Sequence, residues 1–384
     1  MSLKILWVTP WFPSSPEDQQ GSYIWDAIQA LRASGNEVDI LLTQSWRPKR
    51  NVIHFSQFPA DIKIIVKRPL SIPRHYFRAL SNWIYLHTLT SLIQKMLRQS
   101  HYDVIHAHTE ICGIAAVHAG KKMHVPTVVT VHGIDTCPRM WRGHAGRMID
   151  RTLIQADRVV MVGQPLAEHF GQRLPKSDHF RIVYNGFRFS PTLLSLPQNI
   201  WSEPLRLISV SNLVEGKGID ITIRALAELS RQGIKNWSLT IIGDGNERKK
   251  LEELVVTLGL SHHIQFMGAC SHDKVYQHLL SSDVFCLPSY REAFGIVYLE
   301  AMAHGLLTLA VKGQGAQTFI QHEQTGLLME PEDVQDLAFL LKRVFTEQTS
   351  MQKIAERGRE FVLKHFTWKH HAEALVKVYQ EVVK

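Results

Sequence analysis

Two glutamates separated by seven residues, Glu292 and Glu300, lie in the stretch Leu287 to Gly305, which reads strand, loop, helix and then a capping glycine. Glu292 falls in the loop and Glu300 inside the helix. The backbone N–H groups around Phe294, Gly295, Ile296 and Val297 are expected to open that helix and offer an anion site suited to a diphosphate. A carboxylate one turn further in can accept both hydroxyls of a ribose, and one at the mouth can reach hydroxyls of a sugar. Both acids would equally suit an exposed helix start, where the macrodipole favours negative charge. Lys217 ends the Ser209–Lys217 loop between an apolar strand and a helix carrying Ile219, Ile223, Leu226 and Leu229. A lysine at the carboxyl end of a strand is placed to neutralise a leaving diphosphate, although a lone loop lysine is usually only solvated. His132 follows the strand-like Val129–Val131 and can donate to a sugar hydroxyl or stabilise charge on bond breaking. Histidines in that position are more often structural. Gly21 closes the loop after the first strand, where close backbone approach to a phosphate needs glycine.

The elements that must position these residues are legible as short apolar runs alternating with helical segments. Strands are expected at Ile5–Val8, Val38–Leu42, Ile62–Val66, Val104–Ala107, Thr127–Val131, Val159–Val162 and Ile182–Tyr184. The second half adds Leu205–Val210, Leu239–Ile242, Ile264–Met267, Val284–Leu287, Leu306–Val311 and the weaker Leu327–Met329. Most are unbroken rather than alternating, as strands covered on both faces require. Alternating β and α units imply parallel sheets, hence two doubly wound α/β domains. Ser190 to Pro204 reads as the connector, and Thr367 as the N-cap of a last helix reaching Val383.

Composition narrows the class. At 384 residues, with 45% hydrophobic and 20% charged, the chain suits two soluble domains. No apolar run is long enough for a membrane span, no leader is evident, and Cys112, Cys137, Cys270 and Cys286 have no framework spacing, so a cytoplasmic protein is expected. The net charge of +8 is uneven: residues 1–190 hold 23 lysines and arginines against 13 acids. Such asymmetry suits an anionic partner, either a membrane surface or a phosphorylated acceptor, or merely a solvated basic face. Lys49, Arg50, Lys63, Lys67, Arg68, Arg74 and Arg78, beside Tyr76, Phe77, Trp83 and Ile84, would suit peripheral contact with anionic lipid. No nucleic-acid-binding signature accompanies the charge.

Taken together, these stretches resemble glycosyltransferase family 4, retaining enzymes of the GT-B fold. EAFGIVYLEAMAHG carries that family's Glu-x7-Glu pattern at Glu292 and Glu300, and IIGDGNERKKLEEL, FMGACSHDKV and TGLLMEPEDVQDLA follow in its usual order. DVIHAHT, VTVHGID, ADRVVMVG and VYNGF fit in the first half, so the resemblance spans nearly the whole chain and thins at about residues 45–100. It implies two Rossmann-like domains facing a cleft: an acceptor-binding domain of residues 1–190, joined by a crossing helix 368–384, and a nucleotide-sugar-binding domain of residues 200–367. It also implies transfer of a sugar from a UDP- or GDP-sugar to a glycan or lipid-linked acceptor, in bacterial surface polysaccharide synthesis. By the same resemblance Glu300 holds the donor ribose, Lys217 and the backbone of Phe294–Val297 the diphosphate, and Glu292 with Phe294 and Gly295 the sugar. Gly268 and Ala269 lie near the base, Gly21 borders the diphosphate, and His132 sits by the transferring sugar.

One departure is plain. The family's Gly-Arg-Leu is here Ser211-Asn212-Leu213, so Asn212 stands in the donor site where a charged arginine is usual. A non-catalytic nucleotide-sugar-binding subunit and a GT-B phosphorylase or epimerase are the rival readings. No cofactor or metal is expected: the chain has no Asp-x-Asp, and although His101, His106, His108 and Cys112 look like a metal cluster, His106 and His108 alternate on a strand and the resemblance implies that this pattern carries no metal.

Overall fold

The computed structural model describes residues 2–16, 18, 21–43, 55–67, 78–133, 143–174, 178–188, 201 and 203–383. The chain divides into two units, Met1–Asn185 with Trp368–Lys384, and Gly186–Thr367. That division precedes the expected connector, of which residues 189–200 and 202 fall outside the described residues.

The first unit is a parallel sheet of β1 (Lys4–Thr9), β2 (Glu37–Thr43), β3 (Ile64–Lys67), β4 (Val104–His108), β5 (Thr127–Val131), β6 (Arg158–Met161) and β7 (Phe180–Ile182), in the order β3-β2-β1-β4-β5-β6-β7. Its helices are α1 (Ser22–Ala33), α2 (Arg78–Gln99), α3 (Glu110–Met123), α4 (Gly143–Gln155) and α5 (Gln164–Arg173). The central strands are buried on both faces, with Ile5, Leu6, Trp7, Val104 and Ile105 fully inaccessible, which is why they read as continuous apolar runs. Each such aliphatic side chain contributes about 1.5–3 kcal/mol by leaving water.

In the second unit β8 (Leu205–Val210), β9 (Trp237–Ile242), β10 (Ile264–Gly268), β11 (Val284–Cys286), β12 (Leu307–Val311) and β13 (Leu327–Met329) form a parallel sheet ordered β10-β9-β8-β11-β12-β13. It is wrapped by α6 (Ile219–Arg231), α7 (Arg248–Thr257), α8 (His272–Leu280), α9 (Ile296–Ala303), α10 (Val334–Thr346) and α11 (Gln348–His365). Both strand orders reverse direction beside the first strand, so each sheet has a switch point, at β1/β4 and at β8/β11. Loops leaving the carboxyl ends there diverge and open a crevice.

The last helix, α12 (Trp368–Gln380), belongs to the first unit and packs on α1. Trp7 Nε1 donates to Tyr379 Oη at 3.2 Å, and the Glu381 carboxylate just beyond the helix takes both Arg158 and Arg181.

Every expected strand is present, and the differences are at ends. β7 runs Phe180–Ile182 rather than Ile182–Tyr184, because its partner β6 ends at Met161 and the apolar Val183 and Tyr184 continue past the ladder. β11 stops at Cys286 and α12 at Gln380, short of Leu287 and Val383. No helix among the described residues is long and apolar enough to cross a membrane.

Candidate functional site

In the second unit, the loops leaving β8 and β11 are stitched together at the switch point. The Tyr290 N–H donates to the Gly216 carbonyl at 3.0 Å, and the Ser289 hydroxyl to the same oxygen at 3.2 Å. Gly218 passes so close that an added Cβ would fall 2.1 Å from the Pro288 carbonyl oxygen, and its φ of 69° is left-handed, so only glycine fits. This crossing brings Lys217 to Glu292: Nζ lies 2.9 Å from Oε2, with the two side chains only 22% and 14% exposed. Glu292 is braced from a third loop, since its N–H donates to the Gln314 side chain at 3.1 Å and its carbonyl accepts from Gly315 N–H at 2.8 Å.

The helix carrying Glu300 begins later than expected. Gly295, at φ 84°, is its N-cap, and α9 starts at Ile296. Phe294 therefore precedes the helix, and its buried ring packs 5.4 Å from that of Phe319. The side chain anchors the loop in the core, so any contact it offers the site is through backbone. The first-turn N–H groups are those of Ile296 and Val297, which have no residue four positions back in the helix to bond.

Glu300 is the only charged residue of α9 and is buried among Tyr298, Leu299, Ala301 and Met302. A carboxylate in such a setting is costly unless it is hydrogen-bonded. Its Oε1 is met by His272 Nε2 at 3.0 Å and the Tyr276 hydroxyl at 3.5 Å, both from α8. His304 Nδ1 donates to the Glu300 carbonyl at 2.7 Å, and burial lowers the His304 pKa. His272, Tyr276 and Gln314 were not legible as site residues, because nothing in sequence links α8 or the loop after β12 to α9.

Asn212 is exposed in the β8 loop, its carbonyl accepting from Val214 N–H at 2.9 Å. Beside it the Ser211 hydroxyl is buried without a partner among the described residues. Gly268 closes β10 with φ 71°, its carbonyl held by Gly243 N–H, and Ala269 is exposed after it. Five of the sequence-derived positions, Asn212, Lys217, Glu292, Gly295 and Ala269, thus lie in loops at carboxyl ends of one sheet, and Gly268 ends its strand β10.

The first unit holds a separate cluster at its own switch point. His132, one residue past β5, places Nε2 3.1 Å from His108 Nδ1, with the rings nearly parallel at 25°. Trp11 and Tyr23 approach the His132 ring at 5.8 and 5.3 Å. His106 shares the β4 face with His108 and is bonded to the Tyr379 hydroxyl at 2.6 Å and Thr130 Oγ1 at 2.7 Å. Burial is the main cause that pushes His132 down to about 3 and holds His106 and His108 well below the usual value, so all three are neutral at physiological pH. Gly21, the N-cap of α1 at φ 80°, lies against the Phe12 backbone, 2.9 Å from where a Cβ would stand. His101 pairs instead with Asp103, and Cys112 is buried in α3.

Of the expected basic surface, Lys49, Arg50, Arg68, Arg74, Tyr76 and Phe77 fall outside the described residues. A groove of about 410 Å³ between α2, α3 and α4 is lined by Trp83, His87, Lys121, Lys122 and Arg151, with no acidic side chain among its described lining. Trp83 is 62% exposed and stacks on His87.

Two family models match the chain in succession: Glycosyltransferase Family 4 over residues 20–189 and Glycosyl transferases group 1 over residues 197–361. The chain is 26% identical to the putative teichuronic acid biosynthesis glycosyltransferase TuaC of Bacillus subtilis, over 100% of this chain and 99% of that protein. It is 26% identical to the N-acetyl-alpha-D-glucosaminyl L-malate synthase of Bacillus anthracis, over 77% of each. Among solved structures, Anabaena Alr3699/HepE in complex with UDP superposes with a TM-score of 0.77 at 20% identity, covering 99% of this chain and 100% of that one, a likeness of fold. With the two matched segments accounting for most of its length and the GT-B fold shared throughout, the chain belongs to the group 1, family 4 glycosyltransferases.

Proposed function

We propose that this glycosyltransferase moves a hexose-type sugar from a UDP- or GDP-sugar, with retention and without a metal, to a glycan or lipid-linked acceptor of surface polysaccharide assembly. The observation that carries this reading is the Lys217–Glu292 pair, 2.9 Å apart, beside the start of α9, with Glu300 buried one turn further in. A diphosphate entering there meets the Ile296 and Val297 N–H groups and draws Lys217 from Glu292, which frees that carboxylate for sugar hydroxyls. Glu300 then accepts from the ribose, while Gly268 and Ala269 border the base. The lysine and the helix N-terminus supply the charge that a divalent cation would otherwise provide for the leaving group. Departure and attack on one sugar face need only such stabilisation, together with a donor from His132. Complexes of the Anabaena protein with UDP support a nucleotide donor, and the TuaC name supports a polysaccharide acceptor. The reaction is assigned to the cytoplasm, with the groove of Lys121, Lys122 and Arg151 docking the first unit on anionic lipid.

The test is release of UDP or GDP from a panel of nucleotide sugars, with and without a lipid-linked glycan fraction, in EDTA. Acceptor-dependent release is expected with one donor. Glu300→Gln should raise donor KM by tenfold or more, as about 1.5–3 kcal/mol for a charged hydrogen bond implies, and Glu292→Gln should lower kcat instead. Wild-type constants in both variants would overturn the site. Activity lost in EDTA and restored by manganese would overturn only the metal-free mechanism.

A further inference from the structure

The nitrogens joining His108 and His132 are 3.1 Å apart and share a single hydrogen, because both rings are neutral. Two arrangements are open. His108 Nδ1–H can donate to His132 Nε2, or His132 Nε2–H can donate to His108 Nδ1. The surroundings of the other His108 nitrogen separate them.

Among the described residues His108 Nε2 is buried and has no partner. The polar groups of the Trp7 and His106 rings packed against it are already committed. Trp7, whose ring lies 4.0 Å from that of His108, gives its only N–H to Tyr379. His106 has both ring nitrogens bonded, Nδ1 to the Tyr379 hydroxyl and Nε2 to Thr130 Oγ1. Neither His106 nitrogen is left to serve His108. If His108 carried its proton on Nε2, a buried N–H would have no acceptor, whereas with the proton on Nδ1 only a lone pair is unmet. Orphaned buried N–H groups are the rarer of the two in folded proteins.

We propose that His108 fixes the tautomer of His132: His108 Nδ1–H donates to His132 Nε2, so His132 keeps its proton on Nδ1 and presents an N–H donor to the reacting sugar. The tautomer follows from the unit's own hydrogen bonds. Its catalytic consequence rests on the reading of His132 given above. His132 Nδ1 has no partner among the described residues, and the Trp11 and Tyr23 rings flank it. A donor there stabilises a sugar oxygen or developing charge, whereas the other tautomer would aim a lone pair at the same place. His108 is thereby a positioning residue.

Protein labelled with 13C,15N-histidine decides the matter through two-bond nitrogen–carbon-proton correlations, with His132 assigned by difference against His132→Gln. The expected wild-type pattern is Nδ1 protonated and Nε2 bare, for His132 and His108 alike. His108→Phe should move His132 to the Nε2–H form and cut kcat at least about tenfold with little change in donor KM. His108→Asn, whose amide can donate from nearly the same position, should restore both. A wild-type His132 found with its proton on Nε2 overturns the proposal even if His108→Phe does not fold, and so does an unchanged tautomer in a folded His108→Phe. Normal turnover in His132→Gln would sink the catalytic reading and leave the tautomer result standing.

Discussion

Acidification from pH 7.5 to pH 5 should destabilise the first unit by at least about 2 kcal/mol, a sizeable part of the usual stability of a domain. The cause is four buried imidazoles. His132 is pushed down to about 3 and His371 to about 4, and His106 and His108 lie well below the ordinary 6.5, with burial the first cause in each. A histidine whose folded pKa is depressed binds fewer protons folded than unfolded. Its penalty is absent above about pH 6.5 and grows as pH falls towards the folded value. At pH 5 His132 and His371 therefore cost about 2 kcal/mol each, and His106 and His108 add to the cost in the same direction. Glu110 works the other way. Burial raises it to about 7 from 4.5, so the folded state takes its proton first and gains about 2 kcal/mol over the same interval. Urea unfolding followed by hydrogen exchange at pH 7.5, 6.5 and 5 measures the effect, read on peptides from β4 and α12, which hold three of the four histidines. A free energy of opening in those peptides that changes by less than about 1 kcal/mol would refute the claim that these rings are held neutral.

Asn212→Arg should tighten UDP or GDP and slow turnover through product inhibition if, as proposed, Lys217 and the start of α9 already surround the diphosphate; a tenfold gain in turnover at unchanged product affinity would show instead that the asparagine is a lesion. Vesicles containing anionic lipid should retain the protein at low salt and release it as salt rises, and Lys121→Glu with Lys122→Glu should weaken retention at least about tenfold; equal binding to neutral vesicles would discard the groove as a docking surface.

The strands were readable from composition alone, because burial on both faces demands unbroken runs such as Ile5–Val8 and Leu205–Val210, whatever lies around them. Their ends were less so. Where β7 stops depends on where β6 stops, and where α9 starts depends on the left-handed Gly295 rather than on the apolar run that includes Phe294.

Sequence by itself determined which residues carry charge at which loop: Lys217, Glu292 and Glu300 stand at fixed offsets from strands, and a strand's direction sets the end at which its loop emerges. Only the tertiary structure decided who meets whom. His272 and Tyr276 reach Glu300, Gln314 braces Glu292, and Tyr379, near the far end of the chain, bonds the His106 ring. Those pairings join loops and helices that are distant along the chain. Strand order brings them together, and no local propensity encodes it.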